Sequence, residues 1–182
     1  MRHERLLTVG AAALVIGALL GMAGSFAPSA ELRGLLWGVD GTSLVVGTAL
    51  LAVHHLRRGN DLLAAAFLVY MVGETLMVLG ASMELSASAS LLAGGTALWS
   101  ASLALASASE LMPLFVRATG AVTSLMFAAT AIQNFSGGQL TPLSRPLPFF
   151  GFPFLAATLI GWAWVHGRQN HGQRHAHRGS DA

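Results

Sequence analysis

Two carboxylates lie where charge is least expected in this sequence. Asp40 interrupts the apolar run 34–56, and Glu74 stands near the middle of the run 62–83. A charged side chain inside a membrane span is costly and marks a functional site by default. Counting a rise of about 1.5 Å per residue, Asp40 lies roughly 9 Å and Glu74 roughly 12 Å below the same face of the membrane. The two helices are joined by a short loop, so they are expected to pack antiparallel with both carboxyls in one layer. Two carboxyls close together in a low dielectric share one negative charge more readily than they carry two. Such a pair suits proton relay or the binding of a cation.

Other polar residues fall in that layer by the same count. Thr42 and Ser43 flank Asp40, and Thr75 follows Glu74. Thr96 comes out at roughly 12 Å and Thr130 at roughly 9 Å, with Gln133 and Asn134 nearer the surface. The expected site is therefore a polar pocket open to one side, built from Asp40, Glu74, Thr96, Thr130, Gln133 and Asn134. The competing structural reading makes each carboxyl a hydrogen-bonded packing element tied to neighbouring Ser and Thr. Asp40 also lies seven residues after Arg33, a spacing open to a plain interfacial ion pair.

Histidine offers a second chemistry. His54, His55 and His166 end two spans on the same side, and two histidines at one depth on different helices can hold a b-type haem or a metal. Interfacial histidines beside arginines are commoner, so no cofactor and no metal are assigned. His171, His175 and His177 follow in a polar tail. The chain has no cysteine, which removes disulfides, thiolate metal sites and cysteine nucleophiles together. No P-loop, GxGxxG, GxSxG or HExxH motif occurs. Every histidine lies at the inner border or beyond, so no intramembrane Ser–His dyad is expected, and no catalytic residue is named.

The elements that must position these groups are legible in composition. Of 182 residues, 54% are apolar and 10% charged, against about a quarter charged in a soluble domain. Mean hydropathy is +0.63. A disordered chain, a nucleic-acid binder and an ordinary soluble enzyme are excluded. Spans of about 20 residues cross a ~30 Å hydrocarbon core, and six fit: 6–27, 34–56, 62–83, 87–108, 116–135 and 147–166. The fold class expected is an all-α bundle of six transmembrane helices with short loops, its partner the lipid bilayer. The first span is read as retained rather than as a cleaved leader, because its run is long and Pro28 occupies the place of a cleavage site.

All ten basic residues are arginine, a bias that fits a GC-rich bacterial genome. Alternating loops put Arg2, Arg5, Arg57, Arg58, Arg117, Arg168, Arg174 and Arg178 on one side, and Arg33 and Arg145 on the other. The positive-inside rule then places both termini in the cytoplasm of a bacterial inner membrane. Residues 167–182 read as a disordered tail. The stretch 136–153 mixes Pro142, Pro146, Pro148 and Pro153 with Phe149, Phe150 and Phe152, and Phe154 follows directly. It reads as an interface belt and a stiff entry into the last span, with Trp162 and Trp164 anchoring the inner end. Asp61 reads as a helix N-cap, and Glu84 and Glu110 as span ends in water.

Small residues predict close helix approach. Ala66, Gly73 and Gly80 recur every seven residues on one face of the third span, with Tyr70 one turn before Glu74. Gly17 and Gly21 form a GxxxG pair that reads as bundle packing. The function expected first is a small transporter or channel-like protein handling a proton, a cation or a small polar solute from the periplasmic side. The alternatives are an accessory subunit of a larger membrane complex or homo-oligomer, and a haem- or quinone-linked redox protein.

Overall fold

A backbone in hydrocarbon has no water to bond to, so each apolar run must satisfy its N–H and C=O groups internally as a helix. The computed structural model describes residues 2–81, 83 and 87–179, with side chains described for 6–80, 83 and 87–168. Glu84 and residues 180–182 lie outside the described residues. Among the described residues six helices make up the fold: α1 (Arg2–Ser25), α2 (Ala30–Leu56), α3 (Asp61–Ala81), α4 (Ala89–Ala108), α5 (Leu114–Phe135) and α6 (Gly151–Gly179). The first five are long and apolar enough to cross a membrane. Large apolar side chains such as Ile16, Leu35, Leu79, Leu125 and Ile132 point outward from them, as a bilayer-facing surface requires.

The helices form a closed ring. Each packs on its neighbours in sequence, and α6 returns to pack on α1; among the described residues no helix pair packs across the ring. Only side chains bridge the interior. Phe67 and Tyr70 of α3 meet Trp162 of α6 edge-on, with centroids 5.0 and 5.8 Å apart. Tyr70 stacks on Trp99 of α4, and Trp99 meets Phe127 of α5 at 5.2 Å. These five rings are buried and plug the middle of the bundle. Trp162 is therefore a core residue and not the interfacial anchor expected; Trp164 is the outward one, with Arg168 4.1 Å above its ring.

Helix ends follow local chemistry. Ser29 caps α2 by accepting the Leu32 N–H at 3.2 Å, so the helix begins four residues before the expected span. Gly59, at φ 70°, turns the chain out of α2, a left-handed conformation that suits glycine. The cap of α3 is Asn60, whose carbonyl accepts the Ala64 N–H at 3.0 Å, and Asp61 is the first helical residue. An acid in the first turn still faces the positive end of the helix dipole. Pro153 sits in the first turn of α6, where its missing N–H removes no helical bond. That helix runs on to Gly179, through much of the segment the sequence reads as unstructured. Propagating an existing helix needs far less than starting one. Glu110 is exposed at the α4–α5 turn, as expected.

Candidate functional site: a carboxyl-lined cavity in the helix ring

Above the aromatic plug, at the end bearing Arg33 and Arg145, the ring encloses a cavity of about 110 Å³. Asp40 and Glu74 both line it. The rest of the wall is mainly apolar, with Leu44, Val78, Leu92, Leu155 and Leu159 among its residues, together with Trp37, Trp99 and Phe152. It reaches from the depth of Trp99 to Met83 and Pro142 beyond the helix ends.

Glycines make room for the two acids. A Cβ on Gly21 would stand 2.7 Å from Asp40 Oδ2, and one on Gly17 3.2 Å from Oδ1. A Cβ on Gly41 would lie 3.1 Å from Glu74 Oε1 and closer still to Val78 Cγ2. The GxxxG pair in α1 is thus a packing motif, and the side chains it admits are Asp40 and Leu44 of α2. Glu74 in turn rests against the backbone of α2, one residue from Asp40.

The carboxyls keep unused bonding capacity. Glu74 is 3% exposed, and the Asp40 charge, the Tyr70 hydroxyl and the Trp99 indole all act on it. Yet Tyr70 Oη, Trp99 Nε1, Glu74 Oε2 and Asp40 Oδ1 are buried without a well-formed hydrogen bond among the described residues. The Tyr70 hydroxyl and the Trp99 indole face Glu74 itself, which leaves Asp40 Oδ1 and Glu74 Oε2 as the unpaired acceptors on the cavity wall. Buried polar atoms in native proteins are nearly always bonded, so these two oxygens call for a donor. The ion pair that the spacing left open between Arg33 and Asp40 is not formed. Arg33 donates instead to the Ala27 carbonyl at 3.2 Å and lies 5.9 Å from the Trp37 ring centre.

The other expected site residues are not brought into the cavity. Thr96 and Thr130 are fully buried and donate to the carbonyls of Leu92 and Met126, one turn earlier in their own helices. Thr42, Ser43 and Thr75 do the same. Gln133 is exposed. Asn134 exchanges two bonds with Leu140, at 2.8 and 3.3 Å, and shapes the α5–α6 loop. A hydroxyl in an apolar medium finds its nearest acceptor on its own helix, so shared depth did not mean a shared pocket. The residues missed were Trp37 and Trp99. The signal for Trp99 was its place deep in a span, away from the interface where Trp is enriched.

The histidines are buried rather than interfacial: His54 and His55 are 2% exposed and His166 is 0%. Their bonds fix their tautomers. His166 Nδ1–H donates to the Trp162 carbonyl at 2.6 Å, which leaves Nε2 to accept from His55 Nε2–H at 2.9 Å. His55 Nδ1 then accepts from the Asn60 amide at 3.4 Å. This relay ties α2 to α6 across the ring beneath the plug. Among the described residues no group of three or more His, Asp or Glu is placed to hold a metal.

The fold and site together define an α-helical membrane bundle with a carboxyl-lined central cavity. No protein-family model, curated protein or solved structure matches this chain.

Proposed function

We propose that this chain is a small transporter or channel-like protein of a bacterial inner membrane, and that it takes a small solute, a cation or a proton into the cavity at Asp40 and Glu74. The observation that carries this reading is the convergence of two carboxyls from adjacent helices on one cavity, with buried polar atoms left unpaired. A purely structural role for the acids would satisfy those atoms within the protein. The arginine bias puts the end bearing Arg57, Arg58, Arg117 and Arg168 in the cytoplasm, so the cavity faces the periplasm. The aromatic plug and the His55–His166 bond close the cytoplasmic end, and a transport cycle requires both to part.

The chain contains no cysteine, so Val78→Cys installs a single thiol in the cavity wall. In vesicles of known orientation, this thiol is expected to react with a small water-soluble thiol reagent added on the Arg33 side. Downhill flux of a proton or cation above that of empty vesicles is expected to disappear in Glu74→Gln. A thiol that reacts from neither side, or flux unchanged by Glu74→Gln, would overturn the reading.

A further inference from the structure

The cavity's chemistry narrows what it accepts, and this inference rests on the functional reading above. An inorganic cation must replace its hydration shell with oxygen. Calcium takes six to eight oxygen ligands, and magnesium keeps several waters in a tight octahedron. Here the oxygens come chiefly from Asp40 and Glu74, and most of the remaining wall is carbon. An anion would meet two acids. A neutral apolar molecule would fill the space and leave the buried carboxyl oxygens of Asp40 and Glu74 without a donor.

One class satisfies both halves of the site. An organic ammonium ion presents up to three N–H donors to carboxylate oxygens in charge-assisted bonds. Its hydrocarbon body is content against Leu44, Val78 and Leu155, and indole rings such as those of Trp37 and Trp99 attract a cation. The volume sets the size. An apolar cavity of about 150 Å³ holds benzene with its six carbons, so by the same proportion about 110 Å³ suits an ion of roughly four non-hydrogen atoms. We infer that the cavity is a binding site for a small, singly charged organic ammonium ion with a compact apolar body, its nitrogen between Asp40 and Glu74.

The test uses the full chain in lipid vesicles, with Val78→Cys as reporter and isopropylammonium chloride as probe. Isopropylammonium is expected to slow thiol labelling saturably and to perturb tryptophan fluorescence in the unsubstituted protein. 2-Propanol and sodium chloride at the same concentrations are expected to do neither. Adding Glu74→Gln, or Asp40→Asn as a second variant should the first not fold, should raise the half-protecting concentration roughly thirtyfold, as expected when one partner of a buried charged pair is truncated. Equal protection by 2-propanol overturns the inference, since the site then reads shape without charge. Equal protection by sodium overturns it in favour of an inorganic ion. A thiol that reacts freely whatever is added overturns it while leaving an accessible cavity standing. A thiol that never reacts removes the accessible cavity and the inference together.

Discussion

Gly21 is where a single methyl group meets the proposed chemistry. An added Cβ would stand 2.7 Å from Asp40 Oδ2 and 3.1 Å from its Cγ. The carboxyl, at the end of a rotatable side chain, can turn away, so the cost falls on its aim rather than on the helix contact. Alanine is also the better helix former by about 1 kcal/mol. Gly21→Ala is therefore expected to hold or raise the thermal midpoint in detergent while weakening isopropylammonium binding by roughly fivefold, the equivalent of about 1 kcal/mol. A parallel fall in both quantities would place the effect in folding and not in the site. Gly41→Ala is the contrast. Its Cβ would overlap Val78 Cγ2, and overpacking of that kind costs about 1–3 kcal/mol.

At the scale of elements, the α3–α4 seam decides where Glu74 and Trp99 meet. The stripe of small residues that the sequence marks for close helix approach, without naming a partner, faces α4. A Cβ on Gly73 would come within 3.1 Å of Gly95 O and 3.0 Å of Trp99 Cδ1, and Gly80 faces Leu91. Ser102 Oγ donates to Ala66 O across the same seam at 2.8 Å and is fully buried. Interhelical hydrogen bonds in membranes average about 0.6 kcal/mol, so Ser102→Ala should lower unfolding stability in mixed micelles by roughly that amount and leave binding unchanged. A loss several times larger would mean that the bond, and not the close approach of glycines, holds the seam.

The whole molecule is a ring whose interior is filled at one level and open at another. Trp162 is the largest fully buried side chain, and it joins the plug above to the histidine relay below through its ring and its carbonyl. Removing a buried indole costs about 3–5 kcal/mol. Trp162→Ala is expected to lower stability by that order and, in vesicles, to raise passive leak of small cations, because the barrier between the cavity and the arginine-rich end is thinned. A destabilised protein that stays as tight as the parent would show that the histidine layer alone seals the ring.

How much was legible follows from which forces act along the chain and which act between helices. Apolar run length and the lack of water in the bilayer determine helices, so the six elements, the approximate bounds of the first five and the presence of two carboxyls within spans could be read from the sequence alone, whereas the extension of α6 to Gly179 could not. A close-packing face on α3 was legible too, because small residues repeat with the helical period, but its partner α4 was not. Depth was legible; rotation about each helix axis was not. Rotation is set by packing against neighbours, and it separated Asp40 and Glu74, which enter the cavity, from Thr96 and Thr130, which turn to their own backbones. The ring closure by α6 and the burial of His55, His166 and Trp162 likewise depend on contacts between residues far apart in sequence, the pair of histidines being 111 positions apart. No local pattern encodes such a meeting; it exists only once six helices have packed around a common axis.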